Sequence, residues 1–131
     1  MRVLIADDQR LFAQALRAAL FEHEIDVVGI AEDGAETVRL VRELAPDVVI
    51  LDLEMPRATG FEVMETLRAE GSTTRVAVLT GGDSPGDRRR AAELGATSFL
   101  SKSQSLDEIV EAIRLVGAFS GIVNGAALST D

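Results

Sequence analysis

The chain has 131 residues, of which 47% are hydrophobic and 27% charged, and its formal net charge at pH 7 is -9. This length suits one compact domain, and the composition is that of a folded globular protein rather than of a disordered chain. The negative charge argues against direct binding to nucleic acid or to an anionic membrane, because both are polyanions.

The amino-acid composition and the N-terminal sequence exclude several kinds of site and bear on the cellular compartment. Cysteine is absent, which excludes disulfides and thiolate metal sites, and the single histidine leaves no imidazole pair for zinc. The N-terminus reaches Asp7 and Asp8 before a signal-peptide hydrophobic region could form, and no apolar run approaches membrane-spanning length. We therefore expect a cytoplasmic protein with no membrane segment.

Short apolar runs alternate along the chain with segments of helical periodicity. The runs predict strands at residues 3–6, 27–31, 48–51, 76–79 and 98–100. The first four are nearly continuous in Val, Ile, Leu and Ala, which is typical of strands covered on both faces in a parallel sheet. The intervening segments carry apolar stripes at helical spacing: Phe12, Ala15, Leu16, Ala19 and Leu20; Ala35, Val38, Val41 and Ala45; Phe61, Met64 and Leu67; Ala91 and Leu94; and Leu106, Ile109, Val110, Ile113 and Val116.

This alternation predicts the fold class and its division along the chain. Strand followed by helix, repeated five times, indicates a doubly wound α/β domain with a parallel sheet and helices on both faces. Ser105, three residues before Glu108, predicts a capping box at the start of the fifth helix. We expect the domain to span residues 1–117 and residues 118–131, rich in Gly, Ala and Ser, to form a C-terminal linker or tail.

Polar residues follow four of the five predicted strands. Asp7 and Asp8 follow the first strand, Asp52 the third, Thr80 the fourth, and Lys102 lies just beyond the fifth. In a doubly wound sheet, ligands bind outside the carboxyl ends of the strands. We therefore expect three carboxylates, a hydroxyl and an ammonium group to converge at one edge. The second strand ends in a segment, residues 32–34, that is predicted to be a plain turn.

Three carboxylates at close range repel one another, so either a pKa rises or a cation lies among them. An oxygen site with few protein ligands suits Mg²⁺, with Mn²⁺ as an alternative. If the metal ion and Lys102 withdraw charge, one carboxylate can attack a phosphoryl group and form an acyl phosphate. Phosphoryl transfer requires mainly positioning and neutralisation of the equatorial oxygens, which these groups can supply.

These motifs resemble those of the receiver domains of two-component response regulators. The resemblance rests on VLIADD at residues 3–8, VILDLEMP at residues 49–56 with Gly60 after it, VLT at residues 78–80 and SFLSK at residues 98–102. It implies a flavodoxin-like sheet of five strands in the order 2-1-3-4-5, surrounded by five helices. It also implies a phosphorylation-activated signalling switch that is not an enzyme, apart from its own phosphorylation and dephosphorylation.

The resemblance assigns roles around the metal ion and the phosphoryl group. Asp52 would be the phosphoacceptor and a metal ligand. Asp8 would bind Mg²⁺ directly, Asp7 would bind it largely through water, and the backbone carbonyl of Glu54 would complete the protein's share of the ligands.

The resemblance also implies roles for three residues that would respond to phosphorylation. Thr80 and Lys102 would contact the phosphoryl oxygens, and Phe99 would change rotamer as Thr80 moves towards the phosphate. The family often has a cis proline after the lysine, whereas this chain has Ser103. A cis peptide before serine costs about 2.5–4 kcal/mol, so we expect a differently shaped loop here.

The resemblance also implies partners. A histidine kinase or a phosphotransfer protein would supply the phosphoryl group, and a homodimer is possible. The C-terminal tail resembles the stretch that leads to a helix-turn-helix output domain, so DNA would be reached only through such a domain, in transcription regulation. The arginine run at residues 88–90 predicts a solvated helix face or, alternatively, a docking surface for a partner.

Two other classes of protein remain open from the residues alone. A flavin- or nucleotide-binding module on the same fold would need a phosphate-cradling loop after the first strand, where Asp7 and Asp8 would repel phosphate unless a metal ion intervened. A metal-dependent phosphohydrolase acting through an aspartyl phosphate would use Asp52 and an acid two residues later, which Glu54 superficially matches.

Overall fold

The computed structural model describes residues 1–82 and 84–118. Strands and helices alternate along them as predicted, with the bounds β1 (Arg2–Ala6), α1 (Arg10–Glu22), β2 (Asp26–Ala31), α2 (Gly34–Leu44), β3 (Val48–Leu51), α3 (Gly60–Ala69), β4 (Arg75–Thr80), α4 (Pro85–Glu93), β5 (Ser98–Ser101) and α5 (Leu106–Ala118). The strands form one parallel sheet in the order β2-β1-β3-β4-β5, which confirms the predicted class and strand order. No helix in the described residues has the length and apolar content needed to cross a membrane.

The apolar core consists of two layers, one on each face of the sheet. Alternate residues of β1 and β3 enter opposite layers, because successive side chains of a strand point to opposite faces. Val3 and Ile50 pack with residues of α1 and α5 in one layer, whereas Leu4 and Leu51 pack with residues of α2 and α3 in the other. Burial on both faces explains the continuous apolar composition of these strands.

The buried face of α2 differs in part from the predicted stripe. Val41 of the predicted stripe is buried and Val38 packs against the core, whereas Ala35 and Ala45 are exposed; Gly34 and Thr37 are buried in addition. The helix ends at Leu44, and Ala45 adopts a left-handed conformation with a φ of 45°. Similarly, α1 buries Ala13, Leu16 and Leu20 and leaves Ala15 exposed. Most residues of the two predicted stripes therefore pack in the core, and the residues that do not are alanines.

Capping boxes are present at the N-termini of α5 and α3. The predicted capping box is present, since the Glu108 backbone N–H donates to Ser105 Oγ (3.1 Å) and the Ser105 N–H donates to Glu108 Oε1 (2.9 Å). Thr59 and Glu62 form a second capping box at α3. The helix α5 continues to Ala118, at the predicted boundary between domain and tail. The rest of the predicted tail, residues 119–131, lies outside the described residues.

Candidate functional site

Backbone hydrogen bonds extend the sheet beyond the strands and fix the positions of the site residues. The N–H of Asp7 donates to the carbonyl of Ala31, and the N–H of Asp52 donates to the carbonyl of Ala6, each over 2.9 Å. The N–H of Lys102 donates to the carbonyl of Thr80 over 3.0 Å. The backbones of the predicted residues are thus held at the carboxyl edge of the sheet.

The three predicted carboxylates converge. One oxygen from each of Asp7, Asp8 and Asp52 lies within 4.8 Å of the other two. Asp7 and Asp52 are only 3% and 4% exposed, while Asp8 faces solvent. The cluster therefore has a buried floor formed by two acids and an open side at the third.

Lys102 neutralises part of this cluster. Its Nζ lies 2.7 Å from Asp7 Oδ2 and 3.0 Å from Asp52 Oδ2, and its side chain is 12% exposed. The same atom donates to Gln9 Oε1 over 2.6 Å and lies 4.8 Å from the centre of the Phe12 ring. Three carboxylates against one ammonium group still leave an excess of negative charge at the site.

Burial and pairing shift two pKa values in this cluster. Burial raises the pKa of Asp7, and this effect exceeds the opposing effect of its hydrogen bond to Lys102. Burial also disfavours the Lys102 ammonium, but hydrogen bonds to Asp7 and Asp52 outweigh that penalty and raise the pKa of Lys102. Lys102 is therefore charged at neutral pH, and a further cation near Asp7 would favour the ionised form of that carboxyl.

The donor set fits a hard divalent cation. Mg²⁺ prefers oxygen ligands and retains several waters, which the solvent-facing side at Asp8 can accommodate. The Glu54 backbone N–H donates to Asp52 Oδ1 over 3.1 Å, so the Glu54 backbone lies beside the cluster while its side chain is exposed. The acidic cluster could therefore bind a metal ion.

Thr80 and Phe99 lie on neighbouring strands. Thr80 is 2% exposed at the end of β4, and Phe99 is half-buried in β5. Because β5 pairs Phe99 with Val78, and because Val78 and Thr80 are two residues apart, Phe99 and Thr80 project from the same face of the sheet. Such diagonal neighbours are within reach of an aromatic side chain.

The arginine run is exposed, yet two of its members lie over aromatic rings. The Arg88 guanidinium carbon is 4.7 Å from the centre of the Phe99 ring, and that of Arg90 is 4.4 Å from the centre of the Phe61 ring. Both distances are in the range of cation–π contacts. The run is thus more than a solvated face; a docking role for it stays a prediction.

The loop after Lys102 has Ser103 where the family often has proline, and hydrogen bonds shape it. No peptide bond within residues 1–82 and 84–118 is cis, so the bond before Ser103 is trans. The hydroxyls of Ser101 and Ser103 are 2.7 Å apart, and the Ser103 N–H donates to Ser101 Oγ over 3.1 Å. Gln104 Oε1 accepts from the Ser101 N–H over 3.0 Å. Short-range hydrogen bonds thus shape this loop, in agreement with the expected departure from the family.

The segment after β2 does more than form the plain turn that was predicted. Asp33 caps α2 by accepting from the Glu36 N–H (2.8 Å), and it also pairs with Arg57 Nη1 at 3.2 Å. The Gly34 N–H donates to the carbonyl of Pro56 over 3.2 Å. The end of β2 therefore supports the loop that follows Asp52. The spacing of Asp33 and Glu36, typical of a helix start, was the sequence signal for it.

The sequence matches the response regulator receiver domain family over residues 3–114. The chain belongs to this family.

Curated relatives are regulators that are longer than this chain. YvfU, a transcriptional regulatory protein of Bacillus subtilis, is 38% identical over 115 residues, which are 87% of this chain and 58% of that protein. MprA, a response regulator of Mycobacterium leprae, is 37% identical over 114 residues, covering 87% of this chain and 50% of that protein. This chain thus spans about half the length of these curated relatives.

Solved structures agree with the family match. The signal receiver domain of NarL from Mycobacterium tuberculosis has a TM-score of 0.85 and 35% identity, covering 89% of this chain and 95% of that one. A LuxR-family DNA-binding response regulator from Staphylococcus aureus has a TM-score of 0.84 and 31% identity, covering 88% of this chain and 98% of that one. The receiver fold is thus shared with regulators of this kind.

Proposed function

We propose that this chain is a phosphorylation-activated signalling switch in which Asp52 accepts a phosphoryl group. The observation that carries the proposal is the position of the Asp52 carboxylate, which is buried in an acidic cluster with Lys102 Nζ 3.0 Å away. An anionic nucleophile beside a fixed cation suits attack on phosphorus, because the cation offsets the repulsion between two anions.

The transfer makes one bond and breaks one. An oxygen of Asp52 forms the new O–P bond, while the bond from phosphorus to the donor's oxygen or nitrogen breaks and its electron pair leaves with the donor. Lys102 and the Thr80 hydroxyl contact the phosphoryl oxygens, where charge must be neutralised. The product is an acyl phosphate on Asp52.

Asp7, Asp8, Asp52 and the backbone carbonyl of Glu54 would hold Mg²⁺, with Mn²⁺ as an alternative. When bound, the ion supplies positive charge to the phosphoryl oxygens. The support for this assignment is the cluster itself, in which negative charge exceeds the single ammonium of Lys102.

The phosphoryl group then shifts the population between two arrangements of the domain. It makes differential contacts with Thr80, which lies on the same sheet face as Phe99. Movement of Thr80 towards the phosphate frees space that Phe99 occupies by a change of rotamer. Because Phe99 lacks a hydroxyl, this switch works through packing alone.

The partners follow from membership of the family. The donor is a histidine kinase or phosphotransfer protein in the cytoplasm, and the domain has no external product. We place the receiver at residues 1–117 and a linker at residues 118–131, leading towards a DNA-binding output in transcription regulation. A homodimer of the phosphorylated form would be one route to that output.

Intact-mass spectrometry after incubation with acetyl phosphate tests this function. We expect a gain of one phosphoryl group that requires Mg²⁺ and is absent in Asp52→Asn. Asp107→Asn is the matched control, since it makes the same change at an exposed acid of α5, and it should retain the gain. An unphosphorylated wild-type protein, or a phosphorylated Asp52→Asn variant, would contradict the proposal.

Two further measurements separate the two alternative classes. Continued release of phosphate from monoesters far beyond one equivalent would favour the phosphohydrolase, and flavin absorbance of the purified protein would favour the cofactor-binding module. The family match and the acidic loop after β1 favour the switch over both.

A further inference from the structure

Gln9 is the N-cap residue of α1, but its side chain makes no hydrogen bond to the helix backbone. Ser, Thr, Asp and Asn are preferred at this position because their short side chains make that bond. Instead, Gln9 Oε1 accepts from Lys102 Nζ over 2.6 Å, a contact across 93 positions of the sequence. The side chain of Gln9 therefore contacts Lys102 at the acidic cluster instead of capping the helix.

We propose that Gln9 is a positioning residue that holds the Lys102 ammonium at the phosphoryl-transfer site. The inference rests on the proposed function. A lysine ammonium has three N–H donors, and the acceptors at Lys102 are Asp7, Asp52 and Gln9. Gln9 alone among these three acceptors is neutral and is not a predicted metal ligand.

Gln9 matters most when the carboxylates are engaged elsewhere. A divalent cation held by the acidic cluster would draw the Asp7 and Asp52 carboxylates towards itself and would repel the nearby ammonium. The amide oxygen of Gln9 keeps its partial negative charge under these conditions. It therefore keeps the flexible side chain of Lys102 directed towards Asp52 instead of letting it swing into solvent.

The backbone of Gln9 reinforces this arrangement. Its N–H donates to Asp7 Oδ1 over 2.8 Å, while Asp7 Oδ2 pairs with Lys102. One residue therefore fixes both an acid of the cluster and the cation opposite it. Phe12, one turn further along α1, lies beside the same ammonium and limits its movement on that side.

Two variants of Gln9 and one control variant separate positioning from a structural role. Gln9→Met keeps the length of the side chain and removes the acceptor, and Gln14→Met makes the same change at an exposed residue of the same helix. Gln9→Ser introduces a favourable helix cap but is too short to reach Lys102. We expect Gln9→Ser to raise the melting temperature and yet to slow phosphorylation, whereas a purely structural role would move both in one direction.

The first readout is the phosphorylation rate with acetyl phosphate as a function of Mg²⁺ concentration. We expect the maximal rate of Gln9→Met to fall by about three- to tenfold, since a hydrogen bond to a charged group is lost at a partly hydrated site. The Mg²⁺ concentration for half-maximal rate should stay within about twofold of the wild type, because Gln9 is not a ligand. Gln14→Met should match the wild type in both quantities.

The second readout does not depend on activity. Lys102 is the only lysine in the sequence, so its side-chain ammonium gives one assignable ¹⁵N signal. We expect this signal to be protected from solvent exchange in the wild type and in Gln14→Met with and without Mg²⁺, whereas in Gln9→Met the protection should be lost when Mg²⁺ is added, because Asp7 and Asp52 hold the ammonium only in the metal-free state. Unchanged protection and an unchanged rate in Gln9→Met would overturn the inference. A wild-type protein that takes up no phosphoryl group would instead contradict the proposed function.

Discussion

Gly34 packs so closely against Ala58 that Gly34 has no room for a β-carbon. A β-carbon on Gly34 would lie 2.5 Å from the Ala58 Cβ and 2.6 Å from the Ala58 carbonyl oxygen. Gly34 begins α2, and Ala58 belongs to the loop that follows Asp52. The first turn of α2 therefore packs directly against the loop that follows Asp52.

Gly34→Ala should destabilise the fold by about 1–3 kcal/mol, because the backbone of the loop has to move to admit a methyl group. Urea denaturation measures this loss. The matched control is Gly86→Ala in α4, whose added β-carbon would have Ser84 Oγ at 3.6 Å as its nearest neighbour. That variant should gain about 0.5 kcal/mol from the lower entropy of its unfolded chain. Equal effects in the two variants would show that the contact does not constrain the fold.

Ala58→Gly should stabilise the protein. Ala58 has a φ of 143°, in a region that side chains other than glycine rarely adopt. Removing the β-carbon relieves this backbone strain, for a net gain of about 1 kcal/mol after the entropy cost of glycine. Ala35→Gly on the exposed face of α2 should lose about 0.5–1 kcal/mol under the same denaturation assay. A loss of stability in Ala58→Gly would mean that the loop carries no strain there.

Asp7→Asn should stabilise the metal-free protein at neutral pH. Burial raises the pKa of Asp7 in the folded state, so ionising this group costs stability as pH rises from the unfolded value of about 3.9 through the higher folded value. The urea midpoint of the variant should exceed that of the wild type at neutral pH and approach it below about pH 3, where the carboxyl is largely protonated in both states. A difference that is independent of pH would contradict this explanation. Adding Mg²⁺ should favour the wild type, which retains the ligand.

Lys102→Met should weaken the metal-free fold and strengthen metal binding. Without the ammonium, Asp7 and Asp52 are left as buried charges, at a cost of about 3 kcal/mol. A divalent cation no longer competes with the ammonium for the same oxygens, so the Mg²⁺ dissociation constant measured by calorimetry should fall several-fold. Arg114→Met, which removes an exposed cation paired with Glu111, should change neither quantity appreciably.

The sheet and the acidic cluster were predictable because both follow from features that are local in sequence. Continuous apolar runs mark buried parallel strands, and the residue after each run, such as Asp52, must lie at the carboxyl edge whatever the details of packing. Convergence of the acids then follows from topology. The strand order itself came from the resemblance to the receiver family.

Side-chain partnerships across long sequence separations were not predictable in this way. Nothing in the composition of α1 indicates that Gln9 reaches Lys102, because the contact depends on the rotamers of two long side chains. The burial of Gly34 against the loop was missed for a related reason, because this contact also joins residues far apart in the sequence.

The two stacked arginines determine how α4 can move. Among the described residues of this helix only Ala91 is buried, so its attachment to the domain relies on contacts such as those of Arg88 with Phe99 and of Arg90 with Phe61. A sideways displacement of α4 would uncover little apolar surface and would therefore cost little hydrophobic free energy. Charged groups on an approaching macromolecule could compete for these guanidinium groups, which makes the location of this helix sensitive to ionic strength.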